Sequence, residues 1–320
     1  MLNEIINMFK KKGDFVSGEE MSKKLGITRA AIWKKIKILR GAGYKIEATT
    51  AKGYKLIKTP EFSVEELRTL IRGDIGREIV FLESIDSTNT FAMELAEKGA
   101  PHGTVVIADS QSKGKGRLGR TWVSPPKKNI YMSVILRPDI GPKDATLLTI
   151  MTAVSCAKGV MKSTGLKAEI KWPNDLMVSH RKLGGILTEI KSDPDRIIFA
   201  VIGIGINVNM ISGSFPPDIK PVATSIREEL GQMQSRTLII SEILKEIEAW
   251  YCVMKREGRR PLLEEWKQLS STIGKKVKVV AGKETLTGIA EGIDDEGMLI
   301  LKLPSGAHKK INAGDLTVLR

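Results

Sequence analysis

The sequence predicts an α+β protein assembled from three parts. Residues 1–60 read as short amphipathic helices closed by two alternating strands. Residues 61–272 interleave strands with helices, one of them long and apolar, and from 273 to 320 the hydrophobic period falls to two in short runs separated by turns. A length of 320 residues allows two or three domains, and 42% hydrophobic residues suffice for a substantial core.

Leu2, Ile5, Ile6 and Phe9 share one helical face, which predicts a helix over 2–11, broken at Gly13-Asp14. Ser17 followed by Glu20 is a capping-box spacing and starts a second helix that reaches Leu25. Gly26-Ile27-Thr28 makes a tight turn, Thr28 caps a third helix, and Gly41 stops it. Ile32, Ile36 and Leu39 form the buried stripe of that helix and leave Arg29, Trp33, Lys34 and Lys37 outside it. Tyr44–Glu47 and Tyr54–Ile57 then alternate as a hairpin around a small, polar stretch that contains Lys52. Thr59-Pro60-Glu61 reads as a linker.

Charge is distributed unevenly along the chain. Residues 1–60 hold 12 Lys and 2 Arg against 5 acidic residues, so most of the net charge of +14 sits there. That asymmetry points to a polyanionic partner. Three helices with a tight turn before the third, followed by a wing, resemble the winged helix-turn-helix family, whose third helix enters the DNA major groove. The resemblance makes Thr28, Arg29, Trp33, Lys34, Lys37 and Lys52 the DNA-binding candidates. A small helical protein-binding module is the competing reading of the same residues.

In the second part, Ser63 with Glu66 starts a helix, and Ile79–Leu82 and Val105–Ala108 read as strands. Ser87-Thr88-Asn89 lies at a strand-to-helix junction. These residues suit a helix cap before Phe91–Glu97, or hydrogen bonds to a compact polar head such as a ureido ring. Gly114-Lys115-Gly116-Arg117-Leu118-Gly119-Arg120-Thr121-Trp122 combines backbone that can approach a ligand closely with cations suited to polyphosphate. Its glycines match the dinucleotide fingerprint in spacing, but Ser124-Pro125-Pro126 follows where that fingerprint needs a helix. The Walker-A pattern also fails, because no Gly-Lys-Ser/Thr ends the loop.

Strands are expected at Ile130–Leu136, Ala168–Lys171 and Ile197–Ile202, the last continued by Gly203–Asn209, with a long helix over Asp144–Ser163. Lys171-Trp172-Pro173-Asn174-Asp175 and Arg181-Lys182-Leu183-Gly184-Gly185 add a carboxylate and further cations around a hairpin. The Gly/Pro-rich stretch 213–221 is a candidate lid. Ser241–Glu257 and Leu262–Leu269 read as helices, and four short strands between Lys276 and Ile311 end the chain.

Two cysteines far apart, Cys156 and Cys252, argue against a disulfide framework or a zinc site, and make a reducing cytoplasm the default. His102, His180 and His308 lack metal-ligand spacing. No apolar run is long enough for a membrane span.

Ser87-Thr88-Asn89, GKGRLGRTW, KWPNDL, RKLGGILTE and GIGINV occur in the order and at the approximate spacing of biotin protein ligases. With the winged helix, the chain resembles their bifunctional bacterial form, both ligase and repressor, over essentially its whole length. Lys115 and Leu118 stand where the family often has arginine, and Leu118 removes one cation from the loop.

The resemblance implies a biotin/lipoate-type ligase domain and a small C-terminal SH3-like β-barrel. It also implies two half-reactions: biotin attacks the α-phosphate of ATP to give biotinyl-5′-AMP, and a lysine of a biotin carboxyl carrier domain then takes the biotin. Two anions must meet, so fixed positive charge is needed, and Lys182, Arg117, Arg120 and Lys171 are the catalytic candidates. Ser87, Thr88, Asn89, Gln111, Lys115, Lys182, Gly184 and Gly185 are the biotin-binding candidates. Arg117, Arg120, Trp122, Lys171, Asn174 and Asn207 are those for ATP, with Trp122 stacked on adenine. Asp175 is expected to hold Mg²⁺, directly or through water. Partners implied are the carrier domain, operator DNA, and a second copy of the chain when the adenylate is bound. A ligand-sensing transcription factor without catalysis, a lipoate ligase, and a ligase with a vestigial N-terminal domain are the rival readings.

Overall fold

The structure is a computed structural model that describes residues 2–41 and 43–319, without the side chain of Asn3. The chain packs as two compact units: Met1–Arg72 with Ser235–Leu238, and Gly73–Gln234 with Ile239–Arg320.

The first unit holds α1 (Leu2–Lys12), α2 (Gly18–Leu25), α3 (Arg29–Gly41), β1 (Lys45–Thr49), β2 (Gly53–Lys58) and α4 (Val64–Leu70). The caps form as expected. Ser17 Oγ accepts from Glu20 N at 3.0 Å, Thr28 Oγ1 from Ala31 N at 3.2 Å, and Ser63 Oγ from Glu66 N at 3.1 Å. Each such cap contributes about 1 kcal/mol by satisfying an orphan amide.

Ile32, Ile36 and Leu39 are buried against Ile5, Ile6, Phe9 and Met21. Burial of each such side chain is worth roughly 1.5–3 kcal/mol. The antiparallel pair β1–β2 is the wing. Residues 59–61 are no free tether. Glu61 accepts from Arg236 Nε at 2.8 and 3.0 Å, and Ser63 N donates to Thr237 Oγ1 at 2.9 Å, all within this unit.

The second unit is built on a seven-stranded sheet ordered β3-β4-β5-β9-β8-β7-β6. Its strands are β3 (Ile79–Leu82), β4 (Val105–Ala108), β5 (Ile130–Leu136), β6 (Glu169–Lys171), β7 (Asp175–Val178), β8 (Arg181–Ser192) and β9 (Ile197–Ile206). Only β3 and β4 run parallel; every other neighbouring pair is antiparallel.

Helices α5 (Thr88–Glu97), α6 (Ala145–Thr164), α7 (Ile226–Leu230), α8 (Arg236–Glu257, in this unit from Ile239) and α9 (Arg260–Leu269) complete this part. The long apolar helix is α6, buried from Leu147 to Val160 except at Thr149 and Lys158. Gly159 lets α8 approach, since a Cβ there would lie 2.8 Å from the backbone nitrogen of Ile243.

β10 (Lys276–Ala281), β11 (Glu284–Ile293), β12 (Leu299–Lys302), β13 (His308–Ile311) and β14 (Asp315–Val318) form a five-stranded antiparallel sheet ordered β13-β12-β11-β10-β14. This is the small β domain expected at the C-terminus, with one strand more than the sequence announced. Among the described residues no helix is long and apolar enough to cross a membrane.

Candidate functional site

The sheet supplies the floor of the site. Gly185 on β8 pairs with Gly205 on β9, and Leu187 with Gly203. With no side chains at Gly185, Gly203 and Gly205, a cleft of about 1140 Å³ opens over the strands. The Trp122 ring lies against that floor, where a Cβ on Gly205 would come within 2.6 Å of it. Its indole N–H is buried with no hydrogen-bond partner among the described residues.

The loop Gly114–Trp122 forms no helix of the dinucleotide-binding kind. It folds back on itself through Gly116 N donating to Arg120 O at 2.7 Å and Trp122 N to Gly114 O at 2.9 Å, around a short 3-10 turn over Arg117–Gly119. Leu118 takes a left-handed conformation at φ 56° and is 72% exposed, so it carries no charge into the cleft and no packing into the core. Lys115 lines the cleft from an exposed position.

Besides Lys115 and Lys275, the cations Arg117, Arg120, Lys171 and Lys182 line this cleft. Lys182 Nζ reaches Asp175 at 2.6 Å and lies 5.7 Å from the centre of the Trp122 ring. Lys171 Nζ is 3.6 Å from the same carboxylate. Arg117 donates to Asn174 Oδ1 at 2.9 Å and to Gly314 O at 3.5 Å. Burial draws its guanidinium below the usual arginine value, opposed by the charges of Asp315 and Asp175. Arg120 pairs with Asp315. Short β strands at residue spacings of 4 (Lys171 to Asp175) and 7 (Asp175 to Lys182) bring this cluster together, because β6, β7 and β8 are successive neighbours.

Also on the cleft lining, Ser87 caps α5 and Thr88 follows it. Gln111 Oε1 accepts from Thr88 N at 2.8 Å and Thr88 Oγ1 at 3.1 Å, and Gln111 Nε2 donates to Ser124 Oγ at 2.9 Å. Ser87, Thr88 and Gln111 all line the cleft, joined through the Gln111 amide and Thr88.

Asn89 lines the cleft too, but its amide is engaged on both sides. It accepts from Ser133 Oγ at 2.6 Å and donates to Leu187 O at 3.2 Å and Glu189 Oε2 at 2.7 Å. Asn207 behaves similarly, donating to Thr224 O at 3.0 Å and accepting from Asn129 Nδ2 at 3.3 Å. Gly184 is not among the cleft-lining residues; it is needed behind the wall, where a Cβ would lie 2.7 Å from Gly205 O.

The carboxylates of the cleft, Glu169, Asp175 and Asp315, all face cations. No group of three His, Cys, Asp or Glu side chains gathers as a metal cage among the described residues. Asp175 pairs with Lys171 and Lys182, and a single carboxylate completed by waters and nucleotide phosphates is a donor set that suits magnesium.

Sequence reasoning missed Gly314 and Asp315, because β14 was not anticipated. The alternation Leu316-Thr317-Val318 after a glycine turn was its only local signal. Ser133, which donates to Thr88 Oγ1 and Asn89 Oδ1, was also missed, since the run Ile130–Leu136 shows a strand but not which distant side chains it meets.

In the first unit, Arg29, Trp33, Lys34 and Lys37 all face solvent on α3, with Trp33 54% exposed. Lys37 Nζ sits 5.6 Å from the Trp33 ring centre, and Arg29 pairs with Glu19 on an exposed surface. Lys52 is exposed at the tip of the wing, 5.8 Å from the ring centre of Phe15.

Family models place the class of protein. Residues 2–55 match the HTH domain, 81–209 the Biotin/lipoate A/B protein ligase family, and 272–316 the Biotin protein ligase C terminal domain. Bifunctional ligase/repressor BirA of Bacillus spizizenii is 39% identical over 316 residues, covering 98% of this chain and 97% of that protein. The protein of the same description from Escherichia coli is 33% identical over 307 residues, covering 96% and 94%. The biotin protein ligase from Aquifex aeolicus, solved in complex with biotin and ATP, superposes with a TM-score of 0.66 at 28% identity, covering 76% of this chain and 99% of that one. The chain belongs to the bifunctional biotin ligase/repressor family.

Proposed function

We propose that this protein is an ATP-dependent biotin ligase that is also a repressor of biotin synthesis genes, with biotinyl-5′-AMP as corepressor. The observation that carries the reading is the convergence of Lys182, Lys171, Arg117 and Arg120 on one glycine-floored cleft that Ser87, Thr88 and Gln111 also line. Biotin lies with its ureido group at those last three residues and its carboxylate toward Lys182.

In the first half-reaction a carboxylate oxygen forms a bond to the α-phosphorus, and the bond from that phosphorus to the pyrophosphate oxygen breaks. In the second, a lysine amine of a carboxylase carrier domain bonds to the acyl carbon, loses a proton, and AMP leaves. No protein nucleophile is required; the side chains position the reactants and neutralise charge. Lys182 faces the developing carboxyl–phosphate link, while Arg117, Arg120 and Lys171 take the phosphates. Trp122 stacks on adenine, with Asn174 holding Arg117 in place. Magnesium enters with ATP, and Asp175 would hold it, directly or through water, neutralising phosphate charge.

We assign DNA binding to residues 1–60, catalysis to 61–272, and a supporting role at the cleft to 273–320. Adenylate binding orders the basic loop and the 211–222 segment, favouring a homodimer that sets two winged helices on one operator. The setting is the cytoplasm.

Incubation with biotin, MgATP and no acceptor yields an acyl adenylate of biotin and pyrophosphate, detected by mass. Absence of both from folded protein overturns the reading. Lys34→Ala with Lys37→Ala weakens operator binding and lowers the slope of log K against log salt by about 0.9 per lost phosphate contact. An unchanged salt slope in a filter-binding titration removes these two lysines from the interface.

A further inference from the structure

The hairpin that carries Lys182 turns in two residues, Ser179 and His180, both left-handed at φ 50° and 63°. Such a turn normally recruits Asn-Gly or Asp-Gly, because two positive φ angles are costly for other side chains. Surrounding contacts must hold it, and they converge on one carboxylate. Glu229, on the short helix α7, has a side chain only 10% exposed. Its Oε2 accepts from Ser179 Oγ at 3.0 Å. Its Oε1 accepts from Arg181 Nη2 at 2.8 Å and from Thr224 Oγ1 at 2.6 Å.

These three donors surround the backbone of Lys182. Arg181 precedes it in the chain. Thr224 belongs to the strand-like segment that clasps it, with Lys182 N donating to Val222 O at 2.7 Å and Thr224 N to Lys182 O at 2.9 Å. The segment 211–222 ends at this clasp, and Ile219, Val222 and Ala223 line the cleft beside it. Glu229 touches neither the cleft nor Lys182 Nζ. It ties the turn, the residue before the lysine and the end of the lid segment into one rigid piece.

We infer that Glu229 is a positioning residue, which fixes the backbone of Lys182 against the 211–222 segment and so aims its ammonium group at the carboxyl–phosphate link. The inference rests on the function proposed above. Positioning errors of about 1 Å cost up to ~10²-fold in rate. The effect therefore falls on turnover rather than on binding, since the ureido pocket and the other phosphate-facing cations do not depend on Glu229.

The test is steady-state adenylate formation by the full-length protein, with kcat and the KM values for biotin and MgATP measured separately. Glu229→Ala lowers kcat about tenfold or more and leaves both KM values within about twofold. Glu229→Gln stays close to wild type, because its oxygen still accepts from Arg181 and Thr224 and its amide can donate to Ser179. Arg181→Ala gives a partial loss of kcat, and the double variant Glu229→Ala/Arg181→Ala is no slower than Glu229→Ala alone, as for members of one network.

If Glu229→Ala does not fold, Arg181→Ala carries the test, and unchanged kcat there overturns the inference. Wild-type kcat in folded Glu229→Ala overturns it, as does a Glu229→Gln variant as slow as Glu229→Ala. Lys182→Ala run in parallel separates the two levels. If it is inactive while Glu229→Ala is normal, only the positioning role falls. If it turns over normally, the underlying reading of the site falls as well.

Discussion

Lys182→Ala is expected to lose at least ~10²-fold in the rate of biotinyl-adenylate formation while remaining folded, since removal of one preorganised charge from a reacting centre costs about that much. The lysine stands 2.6 Å from Asp175 and over the indole of Trp122, with the glycine floor beneath, so its ammonium can meet two anions brought together in the cleft. Its removal leaves Asp175 with Lys171 at 3.6 Å, and the main-chain clasp of residue 182 is untouched. The stability change should therefore stay near 1 kcal/mol, roughly 2–4 °C in Tm for a unit of this size. Pyrophosphate exchange and a thermal melt on the same sample check both halves. Wild-type exchange would remove Lys182 from the chemistry.

Gly203→Ala has the opposite signature: a large loss of stability. A Cβ at this position would fall 2.2 Å from Asn89 Oδ1 and 2.8 Å from Asn89 Cγ. Asn89 has nowhere to go, being 3% exposed and bonded to Ser133, Leu187 and Glu189. Overpacking of about 1–3 kcal/mol adds to about 1–3 kcal/mol for each buried hydrogen bond broken, so a total on the order of 3–5 kcal/mol is expected.

Gly205→Ala is the control two residues along the same strand. Its Cβ would strike the ring of Trp122 at 2.6 Å, but that ring sits on a partly exposed loop able to shift. The second variant should melt near wild type and bind nucleotide less well. Equal melting temperatures for the two would contradict the buried role of Asn89.

Much of the local structure was legible because local rules govern it. Ser17, Thr28 and Ser63 cap the helices they were expected to cap, each through a hydrogen bond three residues ahead. The stripe Ile32, Ile36 and Leu39 is buried as its spacing required. Helix α5, by contrast, begins at Thr88 rather than Phe91. Its first residues are weak helix formers, and Gln111, in the loop after β4, and Ser133, on β5, hold them in place.

α7 has five residues, little more than one helical turn, and β14 has four, with only the alternation Leu316-Thr317-Val318 to mark it. β14 exists because Val277 through Val280 on β10 offer it an edge to pair with. Glu61, read as part of a linker, is held by Arg236, and a separation of 175 residues hides such a pair from any local reading.

The order of residues alone determined which groups offer charge and open backbone close together: the glycine-rich basic loop, Lys171 to Asp175, and Arg181 to Gly185 each carry their chemistry in adjacent positions. It also determined the basic third helix and its wing, through spacing and charge. Only the folded chain decided what those groups face. Asp175 lies between two lysines, Asn89 and Asn207 are bound into the scaffold, and Glu229 sits under the turn that presents Lys182. The reason is physical: a residue type fixes which hydrogen bonds and charges it can offer, whereas its partner is set by strand order and packing between segments that may lie more than a hundred residues apart.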